Sequence, residues 1–319
     1  MSRWLKRALI GTGIGVGVVA IGVFIYAWYL YGSIKDTAKA VYEPIPSQEP
    51  YISKDPDVQP RGGDHVSNIT DQHPFSVAIL GVDQREHDVG RSDSIIVLAV
   101  NPVKNSILMF NIPRDTRTEI VGHGTVDKIN HAYAFGGVEM SKQTIENFLD
   151  YPIDYYIKIN MEGFAKLIDL MGGVEVQNPF SFDYGGRTFE KGPLKLNGND
   201  TLLYSRMRYD DPRGDFGRNT RQRDVLVQVM KESLSFTNVM QVQTLLNQLG
   251  SSVKTNITFD EMKTFMADYR TELNHIDTVE VSGTGQTING IWYYIVSDQE
   301  KTRIHQLMKD QMQQSTGGV

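Results

Sequence analysis

The stretch SRMRYDDPRGDFGRNTRQRD, residues 205–224, gathers six arginines and four aspartates in a chain whose net charge is −6. Arg206 and Arg208 are two residues apart, so in an extended segment they project to one side. Arg218, Arg221 and Gln222 fall at i, i+3 and i+4 and share one face of a helix. That stripe continues through Val225 and Val229, so the helix starts at a polar cleft and ends in a core. Its N-terminus adds backbone N–H groups and the positive end of a dipole, both favourable to an anion. One phosphate does not need so many donors, whereas a pyrophosphate does. The competing reading is a solvated network in which arginines and aspartates neutralise one another. The Arg-Gly-Asp triplet at 213–215 is read as coincidence, not as an adhesion motif.

Carboxylates at strand ends supply a second chemistry. Asp83 closes the apolar run FSVAILGVD (75–83), and Asp93 immediately precedes SIIVLAVN (94–101). Ligands of open α/β sheets gather at such carboxyl ends. Two carboxylates there can share a hard cation, Mg2+ or Mn2+, and leave coordination places for phosphate and water. The alternative from spacing alone is a turn or capping role for Asp93 and a surface charge at Asp83. Arg114 closes a third run, SILMFNIPR (106–114). Beside the metal its planar fork suits bidentate contact with phosphate oxygens; alone it reads as a partner of Asp115 or Asp83.

These residues need a scaffold. The chain has 319 residues, 40% apolar and 22% charged, which is ordinary globular material with a real core. It contains no cysteine, which excludes disulfides, thiolate metal sites and cysteine nucleophiles. The three apolar runs read as buried strands, the last two joined by a tight PVKN turn. Helical spacing marks 138–150, 161–173 and 219–235, with further helices expected at 240–250, 259–270 and 298–313. Strand-like segments stand at 155–160, 174–177, 278–283 and 292–297. The expected fold is α/β, a mixed β-sheet flanked by helices on both faces and preceded by one transmembrane helix.

The anchor is read from the N-terminus. Arg3, Lys6 and Arg7 precede an uncharged run from Ala8 to Ile34. About 24 such residues in a helix span about 36 Å, enough to cross a bilayer. Tyr26, Trp28, Tyr29 and Tyr31 fall at its far end as an interfacial belt, and the basic residues should stay cytoplasmic. The run is too long for a cleaved signal peptide. The expected organisation is a cytoplasmic tail (1–7), a transmembrane helix (8–32), a proline-rich extracellular stem (33–73) and a catalytic domain (74–319).

The ordered motifs ILGVDQ, GRSDSI, IPRDT, KINHAYAFGG and YSRMRYDDPRGDFGRNTRQRDVL resemble the LytR-CpsA-Psr family of Gram-positive cell-envelope enzymes, over about residues 74 to 235. The short form without an accessory domain looks like the teichoic-acid transferases of that family. The resemblance implies transfer of an anionic glycopolymer from a polyprenyl-pyrophosphate carrier to peptidoglycan, at the muramic acid 6-OH, with a phosphodiester formed. It makes Asp83 and Asp93 the magnesium carboxylates, and places Arg91, Arg114 and Lys128 beside the pyrophosphate. Arg206 and Arg208 match its paired arginines; Arg218, Arg221 and Gln222 match its head-group motif, and Asp215 matches an acidic position. It also implies an apolar tunnel for the lipid tail, whose residues the sequence does not single out. The expected partners are the lipid-linked polymer, peptidoglycan and the membrane, with no nucleic acid. Two rival readings stand beside it: a non-catalytic receptor for lipid-linked pyrophosphates, for which Asp83 and Asp93 would be dispensable, and a DNA-contacting regulator, which requires 205–224 to be cytoplasmic.

Overall fold

Residues 41–45, 49–61, 69, 72–83, 89–233, 249–250, 252–268 and 275–313 are described in a computed structural model of the chain. The expected tail and anchor, and most of the helix expected at 240–250, lie outside the described residues. Within the described residues no helix is long and apolar enough to cross a membrane.

The first half runs β1 (Phe75–Val82), β2 (Ser92–Asn101), β3 (Ser106–Asn111), β4 (Arg117–Ile120), β5 (Thr125–Lys128), α1 (His131–Leu149), β6 (Tyr155–Asn160) and α2 (Met161–Leu170). It continues through β7 (Val174–Asn178), β8 (Phe182–Tyr184), β9 (Arg187–Phe189), β10 (Gly192–Leu196), α3 (Gly198–Arg206) and α4 (Asp215–Ser233). The last elements are β11 (Val253–Thr255), α5 (Phe259–Asp268), β12 (Ile276–Glu280), β13 (Thr284–Ile288), β14 (Ile291–Ile295) and α6 (Asp298–Met312).

The three apolar runs form an antiparallel meander at the centre of a six-stranded sheet ordered β11-β6-β1-β2-β3-β12. β6 and β12 join it parallel to β1 and β3, so the sheet is mixed as expected. Alternation along β1 sends Ala78, Leu80 and Val82 into one core with α1 and α6. Phe75, Val77 and Ile79 point to the other face, where Leu226 and Met230 of α4 and Phe265 of α5 cover them. Helices therefore lie on both faces. A third core joins Ile168, Val176, Phe182, Phe189 and Tyr204 to Val225 and Val229 of α4. Helix α4 thus faces two cores and is fixed on both sides.

Part of the expected stem is packed. Val41 is 2% exposed, Tyr42 bridges to Thr255, and the Tyr156 hydroxyl donates to the Glu43 carbonyl. Further along, the Tyr51 hydroxyl donates to Asp150 at 2.9 Å, Arg61 pairs with Asp154 at 3.3 Å, and Lys309 donates to Asp55 at 2.7 Å. A tether was expected there rather than a packed unit; in the described part, polar side chains spaced along the segment strap it to α1 and α6.

Candidate active site

The register of β1 against β2 aims the first site residue. Gly81 pairs with Ser94 but Val82 pairs with Ser92, so Asp93 is the extra residue of a β-bulge. A bulge bends the strand and re-aims the unpaired side chain. The N–H groups of Asp83 and Asp93 both donate to the Arg91 carbonyl, at 3.2 and 3.0 Å. One carbonyl therefore ties the two aspartates of neighbouring strands together. The Arg91 side chain itself is exposed at the rim.

Arg114 follows β3 and reaches across to the bulge. Its Nη1 lies 3.0 Å from Asp93 Oδ1, with the two side chains 27% and 29% exposed. Its Nε stands 3.7 Å from Asp115 Oδ2, too far for a hydrogen bond, and Lys128 Nζ meets Asp115 Oδ1 at 2.7 Å. Burial acts to depress the Arg114 guanidinium, but the charges of Asp93 and Asp115 outweigh it and the net shift is upward. Lys128 is thus linked to Asp93 through Asp115 and Arg114, on the edge of the cluster.

Helix α4 contributes a buried cation to the cluster. Arg218 is 7% exposed. Its Nη2 lies 2.7 and 3.0 Å from the two Asp215 oxygens, of which only Oδ2 is aligned as a hydrogen bond. Burial pushes Arg218 below the usual guanidinium range; Asp215 and Asp93 oppose that shift, while Arg114 and Arg208 add to it. Four groups from four segments therefore share one electrostatic neighbourhood with Arg218. One turn on, Gln222 accepts from Ser94 Oγ at 3.0 Å and from Asn111 at 3.4 Å, which locks α4 to β2 and β3 beside Asp93.

Two expectations need correction. Arg221 was expected in the cleft on the face of Arg218, but it is 2% exposed and committed to the protein interior. It pairs with Asp211 at 2.5 Å, donates to the carbonyls of Tyr204 and Met207, and lies over the rings of Phe182 and Tyr204. The stripe that holds Arg218 and Gln222 turns away from the cleft at this position because α4 there meets the third core. Arg206 and Arg208 were expected on one extended segment. Instead Arg206 is the exposed last residue of α3, and Arg208 follows the cap, with its guanidinium 4.6 Å over the Tyr209 ring. Arg213 and Arg223 both pair with Glu280. The internally paired network thus accounts for Arg213, Arg221 and Arg223, while Arg114 and Arg208 both act on the charge of Arg218.

Asn130 is a site residue that the sequence reading passed over. It precedes α1, yet its side chain makes no cap hydrogen bond and donates instead to Asp93 Oδ1 at 3.4 Å. The only signal was its place two residues after Lys128 in KINHAYAFGG. Four polar atoms of this neighbourhood are buried without a hydrogen-bond partner: Arg114 Nε, Arg218 Nε, Asn130 Oδ1 and Asp215 Oδ1. Buried polar groups are normally paired, so donors and acceptors left open together mark a place for a ligand that has both characters. Cationic donors suit phosphate oxygens, and the carboxylate and amide oxygens suit a hard divalent cation. The residues therefore fit a magnesium-bound phosphate group. Among the described residues no three His, Cys, Asp or Glu side chains group as a ligand set, so such a cation needs oxygens from its substrate or from water as well.

A mixed sheet carrying strand-end carboxylates and an arginine cluster of this kind defines a family. The LytR_cpsA_psr family matches residues 28–310, and the chain belongs to it. It is 44% identical over 313 residues to the polyisoprenyl-teichoic acid–peptidoglycan teichoic acid transferase TagU of Halalkalibacterium halodurans, covering 98% of this chain and all of that relative. TagU of Bacillus subtilis is 40% identical over 312 residues, 98% of each chain. Its crystal structure superposes with a TM-score of 0.64 over 77% of this chain and 100% of that one. A structure of TagT bound to LIIa-WTA has a TM-score of 0.65 at 26% identity, covering 76% of this chain and 91% of that one.

Proposed function

We propose that this chain is a teichoic acid transferase that moves a glycopolymer from a lipid carrier to peptidoglycan in the Gram-positive cell envelope. The transferase class rests on family membership and on relatives that match along their whole length. The finer reading is that the donor is a polyprenyl pyrophosphate, the acceptor is the muramic acid 6-OH, and the uncharged run 8–32 anchors the domain outside the membrane. The observation that carries the donor assignment is the pair of buried Nε atoms on Arg114 and Arg218 that make no hydrogen bond. A buried charged donor without an acceptor is costly, and a pyrophosphate oxygen offsets that cost.

In the proposed reaction the acceptor hydroxyl oxygen attacks the polymer-side phosphorus. A new P–O bond forms, the bond from that phosphorus to the bridging oxygen breaks, and polyprenyl phosphate leaves with its electrons. The hydroxyl proton passes to a carboxylate of the cleft, Asp83 or Asp93. Arg114, Arg208 and Arg218 neutralise charge that builds on the phosphoryl and leaving oxygens. When bound by Asp83 and Asp93, with Asn130 Oδ1 alongside, Mg2+ supplies further charge neutralisation at the pyrophosphate. Arg221 and Asp211 hold α4 in place and touch no substrate in this scheme.

The test uses the full chain in detergent with Mg2+, a lipid-pyrophosphate-linked saccharide and nascent glycan. The expected result is a phosphodiester-linked product that disappears with EDTA and returns with added Mg2+. Product that forms equally well in EDTA removes the cation from the scheme. Donor binding that survives in Arg114→Ala/Arg218→Ala overturns the pyrophosphate assignment.

A further inference from the structure

The motif KINHAYAFGG is used only at Lys128 and Asn130, yet its second half builds an exposed aromatic platform. Phe135 is 44% exposed. Its ring stacks on His123 at 3.9 Å between centroids and 4° between planes, and His131 meets it edge-on at 6.0 Å. The backbone breaks directly after it, with Gly136 at φ −146° and Gly137 at φ 62°. A Cβ at Gly136 would sit 2.7 Å from Met140 Cβ, so the Gly-Gly kink presses this turn close and leaves Phe135 outside the core. His123 lies in the turn of the β4–β5 hairpin and donates or accepts with Thr125 Oγ1 at 2.8 Å, which steadies its ring.

A continuous chain of contacts joins this platform to the catalytic cleft. His131 Nδ1 meets Asp127 at 2.7 Å, and the Tyr293 hydroxyl donates to Asp127 at 3.4 Å. Lys128 and Arg117 lie 6.0 and 5.8 Å over the Tyr293 ring. Lys128 then meets Asp115, beside Arg114 and Asp93. The length of the hairpin, at about 3.3 Å per residue, sets the platform roughly 10–13 Å from Lys128. That is the reach of a few pyranose rings.

We infer that the Phe135–His123 stack is a distal subsite for the acceptor glycan, holding a sugar ring of the chain whose hydroxyl reacts beside Asp93. This rests on the transferase reading above. One face of Phe135 is covered by His123, yet the residue keeps 44% exposure; the electron-rich face of an aromatic ring attracts the C–H face of a neutral pyranose. The strip beside it offers Asp127, His131 and Lys128 for hydroxyl and amide groups. Its position selects the acceptor over the donor polymer. Two of the guanidinium groups assigned to the donor phosphates, Arg208 and Arg218, come from the segment after α3 and from α4, whereas the hairpin packs against α1 and β14; the third, Arg114, stands between the two sides. The chain of contacts thus leads away from the donor side, where an incoming nucleophile must lie if it is in line with the leaving phosphate.

The test titrates the full chain in detergent with chitotetraose, a soluble chain of N-acetylglucosamine, and separately with lipid-free teichoic polymer. Chitotetraose is expected to bind, with affinity about fivefold weaker in Phe135→Ala and in His123→Ala and retained in Phe135→Trp. In transfer assays Phe135→Ala is expected to raise the acceptor KM about fivefold more than the donor KM. Equal binding by wild type and Phe135→Ala, no binding by wild type, or Phe135 dependence for the teichoic polymer alone overturns the subsite. Phe135-dependent glycan binding without any phosphodiester product sinks the transferase reading and leaves a glycan site standing. Transfer with an unmoved acceptor KM does the reverse. Unchanged melting of the variants shows that the losses are not unfolding.

Discussion

Arg218 and Arg221 stand three residues apart on α4, and only Arg218 has a guanidinium nitrogen buried without a hydrogen bond. Arg221 is held by Asp211 and by the carbonyls of Tyr204 and Met207. One cation is poised for a ligand; the other fastens the helix that carries it. The contrast arises because a helix rotates its side chains past different neighbours, here the cleft and then the third core.

Breaking the fastening pair is expected to destabilise the fold. Asp211→Ala leaves Arg221 charged and buried, a change worth about 3–5 kcal/mol. Gly217→Ala acts on the same pair from the other side, since a Cβ there would fall 1.7 Å from Asp211 Oδ2. Urea denaturation should show both variants well below wild type. A midpoint unchanged in both would mean that Arg221 does not secure α4.

Arg114→Ala should separate activity from stability. Its bond to Asp93 is partly exposed, so its loss costs under about 1 kcal/mol of folding free energy. Loss of a positioned cation at developing phosphate charge costs about 100-fold or more in rate. Transfer rates measured next to thermal melts decide the matter. A folded variant with wild-type rate takes Arg114 out of the catalytic set.

Alkaline pH should act partly through Tyr204. Burial raises its hydroxyl from 10.0 to about 12, with the Arg221 charge opposing the shift. A group raised on folding stabilises fully below its unfolded pKa, so this contribution is present below about pH 10 and is lost as pH rises through about 12. The hydroxyl is buried without a hydrogen-bond partner. Tyr204→Phe keeps the ring against Phe182 and Phe189, and is expected to be neutral or slightly stabilising at pH 7. Between pH 10 and 12 its stability should fall less steeply than that of wild type. Parallel curves from denaturant titrations in that window would contradict this.

The strap offers a test by proteolysis. Asp150 accepts from the Tyr51 hydroxyl and the Lys54 N–H, and its carbonyl accepts from Ser53. Asp150→Ala removes the first two bonds and should raise cleavage within residues 49–61 severalfold, with the domain intact. Equal cleavage of variant and wild type would show that the strap is held elsewhere, through Arg61 or Lys309.

Much of the scaffold was legible in residue order. Long β-branched runs gave β1, β2 and β3, and apolar spacing placed α1, α2, α4, α5 and α6 to within a few residues, α1 excepted at its start. The segments that escaped are short: β8, β9 and β11 have three residues each, β4 and β5 four, β10 and β13 five, and α3 nine. Such short runs hardly complete a detectable period, and their strands exist because tertiary partners supply the hydrogen bonds. Missing α3 misplaced Arg206.

At the site, residue types alone picked out strand-end carboxylates and a dense arginine run as candidates for one phosphate-directed chemistry, because opposite charges of those kinds suit a cation and a phosphate, and they left a self-neutralising network as the competing reading. Tertiary structure decided which of them meet. A one-residue slip between β1 and β2 turns Asp93 outward, Asn130 gives up capping to reach it, and α4 sends Arg221 inward while Arg218 stays at the cleft. Spacing along a chain fixes the side of an element on which a residue lies; only packing fixes what stands opposite that side.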